Sequence, residues 1–218
     1  MSRINLNNLI FDIFCDNYLY TGRIWVMKYI ISFLVLTGLM LGGSCDIPQF
    51  DSKNPEWGED CSQTIGEHPC NFTLRDQNDN EVSLYDFYGK IIILDISAMW
   101  CGPCRLAATE VEDLHVKYAE NAVYLTVLVE DPSRKEPNAR DAKDWADAFG
   151  IETAPVLAGS RALTSSSPQL GWPLTAFPNF FIIDKEMIYV QESTGFRRGK
   201  IEGIILDILA SESDTGGA

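Results

Sequence analysis

Trp100-Cys101-Gly102-Pro103-Cys104 is the segment of this sequence best equipped for chemistry. It follows the β-branched run of residues 91–96 (IIILDI) and opens a stretch with helical periodicity. Two cysteines three positions apart in a helix's first turn bring their sulfurs within bonding reach. The first sits where unpaired backbone N–H groups and the positive end of the helix dipole point outward. Such a seat lowers a thiol pKa from about 8.5 toward 7 or below, so a useful fraction is thiolate at neutral pH. Cys101 is therefore the expected nucleophile, and Cys104, one turn further in, the resolving thiol. Pro103 stiffens the turn and lacks a donor that the helix start does not need. Asp95 is the second group of interest. A carboxylate inside an apolar strand is costly and should have a raised pKa, whether its role is functional or purely structural.

The elements that must hold these groups can be read from periodicity. Residues 72–75 and 82–84 are short strands joined across the turn-rich stretch 76–81. Residues 91–96 have the continuous apolar character of a central strand buried on both faces. Residues 104–120 form one expected helix, with Ala107, Val111, Leu114 and Tyr118 on a single stripe. A second buried strand spans 123–129. A helix over 138–149 carries Ala142, Trp145, Ala146 and Phe149 on one face and stops at Gly150. Strands at 179–183 and 187–191 flank the tight turn Asp184-Lys185-Glu186. Ile201, Ile204, Ile205, Ile208 and Leu209 line the last helix. The order β-β-β-α-β-α-(β)-β-β-α predicts an α/β domain with a mixed sheet and helices on both faces. The loop over 158–176 is long for a connector and leads to Pro178. It reads either as a wall of a partner groove or as a disordered insertion.

Composition limits the alternatives. The chain has 218 residues, 46% hydrophobic, 22% charged and 11% aromatic, which fits one packed domain plus extras and excludes global disorder. With 17 basic against 31 acidic residues the net charge is −14, and such a surface repels phosphate backbones, so nucleic acid is not an expected partner.

The N-terminal region predicts a position outside the cytoplasm. Residues 29–41 (YIISFLVLTGLML) are an uncharged apolar run after Lys28, followed by Gly42-Gly43-Ser44-Cys45. From Met27 this stretch resembles a bacterial lipoprotein signal, with Cys45 as the lipidated first residue of the mature protein, although Gly42 stands where leucine is usual. An uncleaved anchor over residues 24–41 is the competing reading, and a buried core helix the third. Residues 1–26 contain two acids in what would be a very long leader, so translation from Met27 is the simplest expectation. The expected organisation is a leader over 1–44, a tether over 45–64, the domain over 65–211 and a flexible tail over 212–218. Residues 1–44 hold Arg3, Arg23 and Lys28 against Asp12 and Asp16, leaving 14 bases and 29 acids, net −15, in the rest. Of the six cysteines, Cys15 precedes Met27 and Cys45 takes the lipid. Cys61 and Cys70, with no favourable helix start, are expected to form a structural disulfide in an oxidising compartment; a second redox pair and zinc ligation are the alternatives. His115 is expected at the solvent edge of its helix.

WCGPC after a buried strand resembles the thioredoxin superfamily. The preceding hairpin and the lead-in Gly66-Glu67-His68-Pro69-Cys70-Asn71-Phe72-Thr73-Leu74 resemble its membrane-tethered extracytoplasmic branch, the TlpA- and ResA-like redoxins, over roughly residues 65–210. The resemblance implies a thioredoxin-like fold with an N-terminal β-hairpin extension. It implies that Asp95, six residues before Cys101, exchanges protons with the resolving thiol. It implies that Pro178 is cis and packs against the dithiol, with the backbone beside it, at Phe177, pairing with the substrate chain. Trp100, Gly102, Pro103 and Phe177 would then line the substrate. Two departures stand out. Thr109 occupies the place of the usual helix proline, so the family's kink is expected to be absent. The lysine usually near the buried acid has no counterpart; Glu130 or Asp131 ends that strand instead.

The expected activity is thiol–disulfide exchange without a cofactor or metal, acting on disulfide-containing proteins and drawing electrons from a membrane thiol carrier. The Gly-Pro dipeptide is that of reducing thioredoxins. A thiol peroxidase is an alternative, but the P-x-x-x-T-x-x-C setting of peroxiredoxins is missing around Cys101. A dithiol module for a soft metal is the non-enzymatic alternative.

Overall fold

The computed structural model describes residues 61–168 and 171–215. The expected leader, Cys45 and most of the tether lie outside these residues. The described chain runs β1 (Thr73–Asp76), β2 (Glu81–Ser83), a 3-10 turn (Leu84–Phe87), β3 (Ile91–Ser97), α1 (Gly102–Ala108), α2 (Val111–Tyr118), β4 (Ala122–Leu128), α3 (Ala139–Phe149), β5 (Val156–Ala158), a second 3-10 turn (Arg161–Leu163), β6 (Asn179–Ile183), β7 (Tyr189–Thr194) and α4 (Arg198–Thr215).

One mixed sheet of seven strands has the order β2-β1-β5-β4-β3-β6-β7. β3, β4 and β5 are parallel; β1, β6 and the hairpin partners β2 and β7 pair antiparallel. The unbroken apolar runs of β3 and β4 are explained by their places: every residue of both strands is buried.

Handedness decides how the faces are covered. Both parallel crossovers, β3 to β4 and β4 to β5, step in the same direction across the sheet. A right-handed connection then lays the helices of both on the same face. Ile91, Ile93, Tyr124 and Leu128 accordingly share one core with Ala107, Val111, Leu114, Trp145 and Ile201, from all four α-helices. The opposite face, with Ile92, Leu94, Leu125 and Val127, is covered by Leu84 and Tyr85 of the first 3-10 turn, by Trp172 and by Met187. Both faces carry helical segments, but the α-helices all lie on one.

The long loop is a packed cover. From β5 the chain must cross to β6 on the far side of β3, and it buries Trp172 on the way, with ring centroids 4.7 Å from Phe181. Gly171 permits the close approach: a Cβ there would meet the Leu163 carbonyl oxygen at 2.8 Å.

The single helix expected over 104–120 is two. The apolar stripe is buried as predicted, but the backbone breaks at Thr109 and Glu110, so the expectation of an unkinked helix is corrected. Thr109 Oγ1 donates to the Leu106 carbonyl at 2.8 Å, and Glu110 N–H bonds the Ala107 carbonyl, a tighter 3-10-type turn. Arg198 of α4 docks at the break, on Glu110 and, at 2.7 Å, on Asp113. A hydroxyl and a guanidinium thus hold the bend at a position that carries no proline. The last hairpin also shifts: Met187 has φ 62° within the turn, and β7 begins at Tyr189 rather than at 187. His115 is half-buried rather than at the solvent edge. Its Nδ1 accepts the Tyr124 amide at 3.2 Å, and burial lowers its pKa.

Asn138 and Asp141 form a reciprocal capping box on α3, and Gly150 ends it in the left-handed conformation at φ 66°. Between α3 and β5 the loop is gripped by Glu112 of α2, which accepts the amides of Glu152, Thr153 and Ala154 at 3.0, 3.0 and 3.2 Å and the Thr153 hydroxyl. Burial alone would raise its pKa, yet the Thr153 hydroxyl and these amides bring it below the ordinary carboxylate value. Glu112→Ala is expected to cost about 2 kcal/mol and to lower Tm by roughly 5 °C. A depressed pKa means that the contribution is present above the unfolded-chain value and lost as pH falls through the folded one. Thermal melts of both proteins should therefore converge in acid; a gap that persisted there would exclude the carboxylate as its source.

Candidate active site

Cys101 is the N-cap of α1, and Pro103 lies within its first turn. Cys101 Sγ accepts the Cys104 amide at 3.1 Å and is bonded to Cys104 Sγ at 2.14 Å. The sulfur of Cys101 therefore takes the place that a serine or aspartate oxygen holds at other helix starts, where an anion would be favoured. Gly102 and Pro103 are exposed, while Cys104 is fully buried. Cys101 is itself only 4% exposed, so both half-cystines are buried beside the exposed Gly102-Pro103 turn.

Asp95 lies behind the helix. Its position on β3 matches in parity the residues of the helix-covered face, Ile91 and Ile93. It is 2% exposed; Ser97 Oγ donates to it at 2.6 Å and Tyr124 Oη at 3.3 Å. Burial raises its pKa to about 7, against the opposing pull of the two hydroxyls. Tyr124 and Ser97 are its hydrogen-bond partners.

The Phe177–Pro178 peptide is cis, as the resemblance implied. Phe177 packs edge-on against Trp100 with centroids 5.8 Å apart, which brings the strand-entry proline segment to the dithiol's flank. Trp100 is 37% exposed, consistent with a surface flank.

Sequence reasoning missed what fixes that flank. Glu130, just after β4, accepts Trp100 Nε1 on one carboxylate oxygen and Arg161 Nε, at 2.7 Å, on the other. Burial would raise the Glu130 pKa, but Arg161 and the indole bring it below the ordinary value. The Arg161 guanidinium lies over Phe177 at 4.7 Å from the ring centroid, and that of Arg134 over Trp100 at 4.2 Å. One carboxylate so joins the dithiol loop to the loops after β4 and β5. The only available signal was an acid at a strand end, which by itself names no partner.

Cys61 and Cys70 are bonded to each other at 2.06 Å. Among the described residues no three His, Cys, Asp or Glu side chains are grouped to hold a metal ion, and no helix is long and apolar enough to cross a membrane.

A helix-borne CxxC disulfide on a mixed sheet, flanked by a cis proline, is the plan of the thioredoxin-like thiol–disulfide oxidoreductases. The chain belongs to the AhpC/TSA family, whose sequence profile matches residues 65–191. It is 26% identical over 121 residues to the thioredoxin-like protein YneN of Bacillus subtilis, covering 56% of this chain and 66% of that one. To the thiol-disulfide oxidoreductase ResA of Bacillus thuringiensis it is 23% identical over 145 residues, 66% of this chain and 78% of ResA. A crystal structure from Chlorobium tepidum, assigned as a thiol:disulfide interchange protein DsbE, superimposes with a TM-score of 0.54 at 25% identity over 67% of this chain and 96% of that one.

Proposed function

We propose that this protein reduces disulfide bonds of extracytoplasmic proteins through the Cys101/Cys104 couple, drawing electrons from a membrane thiol carrier and held at the membrane by a lipid on Cys45. The observation that carries the reading is the Cys101 sulfur at the start of α1, accepting the Cys104 amide.

In the reduced protein the Cys101 thiolate attacks one sulfur of the substrate disulfide. A mixed disulfide forms, and the other substrate sulfur leaves as a thiolate that takes up a proton. Cys104 then gives its proton to Asp95, a neutral-pH acceptor by virtue of its burial, and attacks Cys101 Sγ. The substrate leaves as a dithiol and the protein holds the Cys101–Cys104 disulfide. Two electrons have moved to the substrate, and the membrane carrier restores them. Trp100, Gly102, Pro103 and Phe177 form the surface around the attacked sulfur. The Cys61–Cys70 bridge closes a loop remote in sequence from this exchange and is assigned a structural role. The extracytoplasmic location is supported by the apolar run over 29–41 and by Cys45 after two glycines and a serine.

Peroxidase chemistry is disfavoured by two residues: Leu94 and Ala98 stand where a peroxiredoxin would carry proline and threonine. The direction of flow is tested by the reduction potential of the Cys101/Cys104 couple, titrated against glutathione. A value near that of thioredoxin, about −270 mV, is expected; one near that of the oxidant DsbA, about −120 mV, would reverse the assignment.

A further inference from the structure

The loop after β4 is built to hold one guanidinium beside the dithiol. Asp131 Oδ1 accepts the amides of Ser133 and Lys135 at 2.7 and 2.8 Å, Asp131 N–H donates to the Lys135 carbonyl at 2.7 Å, and Arg134 N–H to the Asp131 carbonyl at 3.0 Å. This closed turn forces Arg134 to φ 64°, a left-handed conformation that a branched or long side chain seldom adopts. Strained residues of this kind persist where the surroundings over-determine them, and they concentrate at functional sites.

The surroundings here are specific. The Arg134 guanidinium lies over the Trp100 ring at 4.2 Å, and Trp100 is itself held by Glu130. Among the described residues this guanidinium makes no hydrogen bond and no ion pair, whereas its neighbour Arg161 is spent on Glu130. A guanidinium lying over an aromatic face keeps its planar fork of N–H donors along its edge, and that fork matches a carboxylate bidentately. Although the Arg134 charge also helps to hold the Glu130 pKa down, its N–H donors are unused among the described residues, so it presents a carboxylate receptor on the Trp100 ring, next to Cys101 in sequence. On a chain of net charge −14, long-range attraction does not favour acidic partners, so any preference for them must arise from such a local contact.

We infer that Arg134 is a specificity-determining residue, and that the dithiol favours polypeptide disulfides carrying an aspartate or glutamate beside the attacked cysteine. The inference rests on the thiol–disulfide exchange proposed above and names the substrate class of that site.

The test uses three oligopeptide disulfides that differ only in the residue next to the attacked cysteine: Glu, Ala or Lys. The full chain should reduce the Glu peptide with a kcat/KM about fivefold above that of the Lys peptide. Arg134→Gly, which suits φ 64° and so preserves the loop, should bring that ratio below about twofold. An unchanged ratio in the variant, or no preference in the wild type, overturns the inference. Binding of the same peptides, with cysteine replaced by alanine, to the oxidised protein gives a second measure free of catalysis, and equal affinities there would also overturn it. A wild type that binds with the expected preference yet reduces none of the three would sustain the docking assignment and reject the oxidoreductase reading alone.

Discussion

Cys101→Ser is expected to abolish disulfide reduction, whereas Cys104→Ser should stop the reaction one step later. A serine hydroxyl does not ionise near neutral pH, so it cannot supply the anion that attacks sulfur, and insulin reduction should fall on the order of 10³-fold or more. The fold should survive, because a serine oxygen accepts the Cys104 amide as well as sulfur does and is a preferred N-cap. Cys104→Ser keeps the Cys101 nucleophile at the helix start but removes the fully buried group that releases the product. It should accumulate a mixed disulfide with substrate, visible by mass spectrometry as an adduct cleaved by dithiothreitol. If Cys104→Ser were the inactive, adduct-free variant and Cys101→Ser the one that traps substrate, the roles would be exchanged. That result would contradict the burial of Cys104 and the N-cap position of Cys101.

Asp95→Asn should make the protein more stable and slower. The folded-state pKa of Asp95 is raised by burial from 3.8 to about 7. Between those values the native protein holds a proton that the unfolded chain has released, so this group's contribution to stability declines as pH rises from 4 and levels off above 7. At about 1.36 kcal/mol per unit, roughly three units correspond to about 4 kcal/mol lost across that window. Asparagine is neutral at every pH and can still accept from Ser97 and hydrogen-bond Tyr124. Denaturant melts should therefore show Asp95→Asn near wild type at pH 4 and more stable by about 4 kcal/mol at pH 8. Parallel stability curves would show that Asp95 does not titrate in this range. The same substitution removes the carboxylate proposed to accept the Cys104 proton, and resolution of the mixed disulfide should slow by on the order of 10²-fold at pH 7. A buried carboxylate that weakens the fold at working pH and speeds its chemistry is a direct trade of stability for function.

Arg134 and Glu112 bear on different properties, the first on which disulfide is chosen, the second on how the segment before β5 is held. Neither is marked by composition. Each depends on a contact across the sheet's helical face or its rim.

How much was legible in the residues follows from how far apart the partners lie. The sequence by itself determined what is local. Sulfurs three residues apart at a helix start, the apolar runs of β3 and β4, and the Asn138 and Gly150 limits of α3 depend on spacing along a few turns of backbone. The raised pKa of Asp95 followed from its place in an apolar strand, whereas the cis proline, and the proton exchange proposed for Asp95, were legible only through resemblance to a family. Tertiary structure alone decided the rest. The first three α-helices share one face because two right-handed crossovers step the same way across the sheet, and α4 packs on that face after β7. The break after the dithiol helix has a local part, the Thr109 hydroxyl on the Leu106 carbonyl, but that Arg198 of α4 docks on Glu110 there was set by the fold. Glu130 meets Trp100 and Arg161, 30 and 31 residues away in either direction, and no periodicity couples positions at such separations. Side-chain chemistry is written into neighbouring residues; the company it keeps is set by strand order, which becomes definite only when the whole sheet closes over its core.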